Sequence, residues 1–300
     1  VRRRSDYPAY LAMRGLVAAV SPWPRPVALA AGAALGRAAR EIFGLRRAVA
    51  DENLASAFPV LPPVARADLA RRMYKHFGRV AVDSLRVTAG GNAAVVPFVR
   101  AVEGESLLRS LVARGRGVIM LAGHHGNWEA AAAWAAAIGL PVAAVVKPPS
   151  NPWVADYVER QRRRMGVETI PMPEARAEVP KALAAGKIVG LVADQGAMRS
   201  STWVPFFGRP TQTPEGPGFF AARTGAPVAF GGFVAEADGC YRGFVELIED
   251  APRGEARELI LRIATLYRQR LEAVVRLAPE QYLWTHRLWA RRPPETPAER

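Results

Sequence analysis

From Gly104 to Val192 short apolar runs alternate with helix-length stretches, and this alternation constrains the fold more than any other feature of the chain. The runs Gly117–Leu121, Pro141–Val146, 167–170 and Lys187–Val192 read as strands, and 105–113, 127–138, 152–164 and 175–185 read as helices between them. Strands separated by helices cannot be joined by tight hairpins, so the pattern predicts βαβ units and a mostly parallel sheet flanked by helices. A helix at 217–224, strands near 227–235 and 241–248, and an amphipathic helix at 255–276 complete this α/β core, while the Pro/Gly/Phe-rich stretch 203–218 reads as a loop. The first part of the chain is helical throughout. Two Ala/Leu/Val-rich stretches within residues 7–47 precede a short helix from Asp51 to Phe58 stopped by Pro59, and Pro62-Pro63 opens a long helix running to about Val87. No internal repeat or linker divides the sequence. The expectation is one domain, with a helical cap over 1–90, an α/β core over 100–290 and a frayed Pro/Glu/Arg-rich tail from Arg291.

Half of the 300 residues are apolar, enough for a sizeable core, which excludes wholesale disorder. The 41 Lys and Arg against 27 Asp and Glu give a net charge of +14, so the surface should attract anions such as lipid headgroups, phosphorylated substrates, an acidic carrier protein or nucleic acid. Lysine occurs only at Lys75, Lys147, Lys181 and Lys187; the arginine excess suits bidentate anion contacts, and GC-rich coding produces the same bias. The basic residues are dispersed along helices without the interleaved aromatic stripe that stacks bases, which argues against nucleic acid. Cys240 is the only cysteine, so intrachain disulfides and multi-cysteine metal sites are excluded and a reducing compartment is expected. Val1-Arg2-Arg3-Arg4 resembles a signal n-region, but Arg14, Pro22, Pro24, Arg25 and Pro26 cut the apolar stretch that follows. The charge-free run Pro26–Gly36 falls far short of the ~20 residues of a spanning helix. Residues 7–47 have a composition that lies in a membrane interface with its arginines on phosphates, or that packs as ordinary helices with solvated arginine faces.

Gly123-His124-His125-Gly126-Asn127-Trp128-Glu129 follows a buried strand and turns into a helix, at the strand end where open α/β sheets hold their ligands. A histidine there serves as a general base when a carboxylate orients its ring and stabilises the imidazolium. On one regular helix His124 and Glu129 would lie roughly 140° apart, so the pair requires His124 just before the helix, reaching over its first turn. Asn127 suits the helix N-cap, which would aim the first amides at an anion or a developing oxyanion. A pair of histidines that merely satisfies a strand end, with Glu129 as a solvated first-turn acid, gives the same sequence. A metal is not expected, because adjacent histidines point apart and no second carboxylate is near; His76 and His286 read as ordinary surface or core histidines.

No Gly-x-Ser-x-Gly elbow occurs, and Cys240 follows Asp238-Gly239 in a hairpin turn with no base nearby, so direct transfer fits better than a covalent intermediate. Gly216-Pro217-Gly218-Phe219-Phe220-Ala221 matches a dinucleotide fingerprint formally but follows a Pro-rich stretch instead of a strand. Asp194-Gln195 ends a second strand and faces the His124 crevice if the two strands are neighbours. Val204-Pro205-Phe206-Phe207-Gly208-Arg209-Pro210 combines a rigid apolar wall with a cation, or else tucks under the domain as a hydrophobic loop. Arg160, Arg162, Arg163 and Arg164 end a helix, as a solvated face or a phosphate site.

The order and spacing of these clusters resemble the bacterial lipid A biosynthesis acyltransferases, the lauroyl/myristoyl transferase family to which phosphatidylinositol mannoside acyltransferases are related. The matching residues are Asn53-Leu54, Phe58-Pro59, Gly123 to Glu129, Arg162 to Gly166, Asp194-Gln195, Val204 to Arg209, and Gln281-Tyr282-Leu283-Trp284-Thr285-His286-Arg287, spread over nearly the whole chain. The resemblance implies a glycerol-3-phosphate acyltransferase-like fold with a membrane-associating N-terminal cap. It further implies an enzyme peripheral or monotopic at the cytoplasmic face of the inner membrane, moving a fatty acyl chain from acyl carrier protein or coenzyme A to a glycolipid hydroxyl, with no cofactor. By this resemblance His124 deprotonates the acceptor and Glu129 holds and stabilises its ring. Arg162 or Arg164 takes the place of a family arginine for phosphate or oxyanion, and Asp194 that of a family acid lining the site. Asn127, Gln195, Phe206, Phe207 and Arg209 are the accompanying candidates for substrate contact.

Overall fold

The computed structural model describes residues 6–195 and 200–291. The basic start Val1–Arg4 and the tail beyond Arg291 lie outside the described residues. The expected apolar runs form strands β2 (Val118–Ala122), β3 (Val142–Val146), β4 (Val167–Pro171) and β5 (Ile188–Val192), and β8 (Val228–Ala235) and β9 (Tyr241–Glu249) follow later. They join β1 (Val99–Glu103) in one seven-stranded sheet of order β1-β9-β8-β2-β5-β3-β4. From β8 to β4 neighbours run parallel, while β9 is antiparallel to β8 and pairs in parallel with β1. Helices α5 (Glu105–Ala113), α6 (Trp128–Ala137), α7 (Pro152–Arg164), α8 (Ala175–Ala184), α9 (Gly216–Thr224) and α10 (Ala256–Leu277) cover the faces.

The alternation of side chains along β2 divides the core in two. Ile119 and Leu121 join Val189, Leu191, Phe230, Tyr267 and Leu271 on one face, whereas Val118 joins Trp134, Val142, Val167 and Ile188 on the other. Both faces are buried, which is why these strands read as continuous apolar runs.

The cap consists of α1 (Tyr7–Val20), α2 (Arg25–Glu41), α3 (Arg47–Ala57) and α4 (Pro63–Gly90). Helices α2 and α4 touch backbone to backbone: a Cβ on Gly36 would stand 2.0 Å from the Tyr74 carbonyl oxygen, and one on Gly32 2.5 Å from that of Gly78. The opposite side of α2 is uncovered. Trp23 just before it and Val27 and Leu35 along it are exposed, and Ile42, Phe43 and Leu45 in the loop beyond are 76%, 78% and 60% exposed. Leu45 still belongs to the fold, since its carbonyl accepts a hydrogen bond from the Tyr74 hydroxyl.

Two departures from the sequence expectation are instructive. The stretch 203–218 is not a loop: Ser201–Phe206 (β6) and Arg209–Pro214 (β7) form an antiparallel hairpin that then leads into α9. Its turn is Phe207-Gly208, with φ of 52° and 70° as two-residue hairpin turns demand. Pro205 and Pro210, which suggested a loop, lie opposite each other, and a two-stranded ribbon tolerates proline because both strands are edges. Strand β1 leaves little mark in the sequence because it is short, carries Arg100 and Glu103, and lies at the sheet edge.

Candidate active site

Strands β2 and β5 are neighbours in register, with Ala122 opposite Val192, so the residues just beyond them emerge side by side. The ladder continues one step as the Ala193 N–H donates to the Ala122 carbonyl. Just beyond it stand His124, after Gly123, and Asp194. The His124 backbone N–H donates to Asp194 Oδ2 at 3.0 Å and its ring Nδ1 lies 2.7 Å from Oδ1, so one carboxylate grips both the backbone and the imidazole. The Gln195 amide lies 3.2 Å from the same Nδ1, and the Trp128 indole packs edge-on against the ring with centroids 4.8 Å apart.

An ionised carboxylate has only acceptors to offer, so Nδ1 carries the ring proton toward Asp194 and Nε2 keeps the free lone pair. Burial pulls the His124 pKa down, but the charge and hydrogen bond of Asp194, aided by the charge of Glu129, outweigh it and hold the pKa above its ordinary value. For Asp194 burial works upward and is overcome by the His124 charge and hydrogen bonds together with the charge of Arg268, leaving the carboxyl below its usual range.

Arg268 was not singled out from the sequence. It is fully buried on α10, donating from Nε to the Thr213 hydroxyl at 2.7 Å and from Nη2 to the carbonyls of Asp194 and Gln212, each at 3.0 Å. It thereby ties the β6–β7 hairpin to the strand end that bears Asp194. The available signal was its place among Ala264, Leu271 and Val275 on the buried stripe of an amphipathic helix, where an arginine has no business without an internal partner.

Glu129 occupies a different place from the expected one. Its Oε1 accepts from Arg162 Nη2 at 2.6 Å and its Oε2 from Arg162 Nε at 3.4 Å. As a first-turn residue of α6 it projects toward the last turn of α7, and the ring of His124 is held by Asp194 instead. The arginines at the end of α7 differ in their contacts. Arg162 is half-buried against Glu129, Arg163 pairs with Glu159 along its own helix, and Arg164 faces solvent.

Asn127 caps α6, its Oδ1 accepting from the Ala130 N–H at 3.0 Å. It is completely buried and its Nδ2 donates to the Tyr241 hydroxyl, so it meets a ligand only through the helix it caps. Phe206 and Phe207 are not the walls of an open cleft: both are buried in an aromatic cluster with Phe58, Tyr282, Trp284 and Trp289, because the hairpin folds back onto the chain after α10. Arg209 is spent on the Ser56 hydroxyl at 2.7 Å and the face of Trp289, fastening the hairpin to α3.

The terminal motif explains itself structurally. Leu283 N–H donates to the His124 carbonyl and Gly126 N–H to the Gln281 carbonyl, so residues 281–283 run antiparallel beside the histidine turn. Gly126, at φ +60°, is required there because a Cβ would fall 1.7 Å from the Phe233 carbonyl oxygen. His125 and His76 are buried neutral, each pushed down to about 4, His125 facing the Ala278 carbonyl and His76 that of Gly126. Among the described residues no three His, Cys, Asp or Glu side chains gather as metal ligands.

Residues 2–291 match the model of a family described as bacterial lipid A biosynthesis acyltransferase. The chain is 28% identical over 275 residues to the lipid A biosynthesis palmitoleoyltransferase of Escherichia coli (strain K12), a match covering 90% of this chain and 87% of that protein. It is 23% identical over 291 residues to the lipid A biosynthesis lauroyltransferase of the same organism, covering 95% and 92%. It is also 28% identical over 184 residues to the phosphatidylinositol mannoside acyltransferase of Mycobacterium tuberculosis, covering 58% of this chain and 57% of that protein.

Proposed function

Because the chain belongs to the bacterial lipid A biosynthesis acyltransferase family, we propose that it moves a fatty acyl group from a thioester, on acyl carrier protein or coenzyme A, to a hydroxyl of a glycolipid, in first place a lipid A precursor. The observation that carries this reading is the His124–Asp194 pair at the mouth of two parallel strands, with Nε2 left to accept a proton. Nε2 takes the acceptor hydroxyl proton as the oxygen attacks the thioester carbonyl, and Asp194 stabilises the imidazolium that forms. The tetrahedral intermediate then expels the thiolate, which recovers the proton from His124. Positive charge from Arg162, partly balanced by Glu129, and the first-turn amides of α6 favour the oxyanion or an acceptor phosphate. No metal or organic cofactor is needed for these steps.

Membrane contact belongs to the same reading. Among the described residues no helix is long and apolar enough to cross a membrane. The uncovered side of α2 and the loop Ile42-Phe43-Gly44-Leu45, flanked by Arg37, Arg46 and Arg47, suit a peripheral position on the anionic cytoplasmic face of the inner membrane. Arg46 donates to the Thr285 carbonyl, two residues from the Leu283 amide that binds the His124 carbonyl, so this loop borders the catalytic end of the sheet.

The test is mass spectrometry of lipids after incubation with acyl-carrier-protein and coenzyme A thioesters, with a lipid A precursor and a phosphatidylinositol mannoside offered as acceptors. Wild type should add one acyl mass to the lipid A precursor, and His124→Ala should lower that rate by about 10² to 10⁴. Similarity to the mycobacterial enzyme makes the mannoside the second acceptor to examine. Undiminished turnover by His124→Ala, or thioester loss with no acylated lipid, would overturn the proposal.

A further inference from the structure

Four buried or half-buried side chains outside the reacting groups form one hydrogen-bonded chain from the cap to the histidine turn. Arg25, the first residue of α2, donates from Nε and Nη2 to the two carboxylate oxygens of Asp83 on α4, both at 2.8 Å. Asp83 also accepts from the Tyr241 hydroxyl at 2.5 Å, at the start of β9. The Tyr241 oxygen accepts from Asn127 Nδ2 at 2.8 Å, and Asn127 Oδ1 caps the Ala130 N–H. Asp83, Asn127 and Tyr241 are each at most 3% exposed, so water offers no substitute partners.

The chain has a single direction. A guanidinium only donates and a carboxylate only accepts, so the one hydroxyl hydrogen of Tyr241 is committed to Asp83 and its lone pair faces Asn127. That assigns the NH2 end of the Asn127 amide to Tyr241 and the oxygen to Ala130. Were the amide turned over, its oxygen would meet the Tyr241 oxygen and its N–H groups would meet the N–H of Ala130, two repulsions in a dry site. Charge on the cap therefore decides which end of a distant amide caps α6.

The helix start is where the chemistry is aligned. Trp128 and Glu129 stand in the first turn of α6, Trp128 packed on the His124 ring and Glu129 paired with Arg162. A loose cap lets that turn fray while the backbone bonds of Gly126 and Asn127 persist.

We infer that Tyr241, held by Asp83 and Arg25, is a positioning residue of the acyl transfer, fixing the Asn127 amide and through it the first turn of α6 against His124. This role rests on the acyltransferase reading.

Tyr241→Phe keeps the ring and removes only the oxygen. It should lower kcat about tenfold with KM within about twofold, and it should speed hydrogen exchange at the Ala130 amide about tenfold. In an Asn127→Ser background the hydroxyl rotates freely to cap the helix, so adding Tyr241→Phe should change kcat by less than about twofold. A merely structural role for Tyr241 would give the same loss in both backgrounds, and that result overturns the inference, as does faster Ala130 exchange with undiminished kcat. If Tyr241→Phe does not fold, Asn127→Ser should retain about tenfold more kcat than Asn127→Ala, and equal values overturn it. Absence of wild-type turnover with every thioester and lipid would sink the acyltransferase reading and this role with it, while Ala130 exchange still reports separately on the hydrogen-bond chain.

Discussion

His124 Nδ1 lies 2.7 Å from Asp194 Oδ1, although the two residues are 70 positions apart and end different strands. The pairing gives Asp194→Asn a defined signature. An amide neither stabilises an imidazolium as a charge does nor offsets the burial that pulls the ring pKa down. In the wild type kcat should rise with pH on a limb above 6.5, since the base must be neutral and its pKa is raised. Asp194→Asn should move that limb below 6.5 and lower the plateau by about 10² or more. An unmoved limb in the kcat–pH profile would exclude Asp194 as the ring's partner.

Glu129 and Arg162 form one ion pair, so their variants should behave as one unit. Glu129→Gln and Arg162→Gln should each lower kcat/KM at least about tenfold, and the double variant should fall little below the worse single one. Multiplying losses in this cycle would show that the two side chains act separately.

Buried neutral histidines impose an acid limit on stability. His76 and His125 have folded pKa values of about 4 because burial disfavours the charged ring, whereas the unfolded chain protonates near 6.5. Between pH 6.5 and 4 the unfolded state binds more protons, so stability is lost as the pH drops, by roughly 3 kcal/mol per ring over that window. His124 has the opposite sign, its contribution being present below 6.5 and lost as pH rises through its raised pKa. Urea midpoints should drop steeply from pH 6.5 to 4.5, and His76→Gln should make the slope shallower; equal slopes would contradict a neutral His76.

The exposed loop offers a test of membrane contact that leaves the site alone. Ile42→Asp with Phe43→Asp should lower flotation with vesicles containing phosphatidylglycerol at least about tenfold while thermal stability is retained, since both residues are more than three-quarters exposed. Undiminished flotation would place the lipid contact elsewhere.

The parallel core was legible because both of its faces are buried, which writes each strand as an apolar run. The hairpin at 201–214 was not, since Pro205 and Pro210 in an isolated ribbon look like loop residues. Within the site, His124 and the cap Asn127 were legible as residues that follow a strand and open a helix. The partner of the ring was not, because sequence proximity favoured Glu129 whereas strand order put Asp194 alongside. Asp194 was visible as a strand-end acid and, through the resemblance, as an acid lining the site, but its place at the ring depended on β5 lying next to β2. Arg268 showed only as an arginine on the apolar stripe of α10 and Tyr241 not at all, since their roles come from what α10 and β9 pack against.

Around the glycines at 32, 36 and 78 no layer of side chains separates α2 from α4. A single added methyl group already exceeds the room between the two backbones there, so α2 cannot tilt or turn in small increments relative to α4. If the uncovered side of α2 rests on a bilayer, the stance of the protein fixes the height and angle at which His124 meets a headgroup. Acceptor choice then becomes a matter of altitude: a hydroxyl projecting to the wrong level goes unreacted even where its local chemistry is identical.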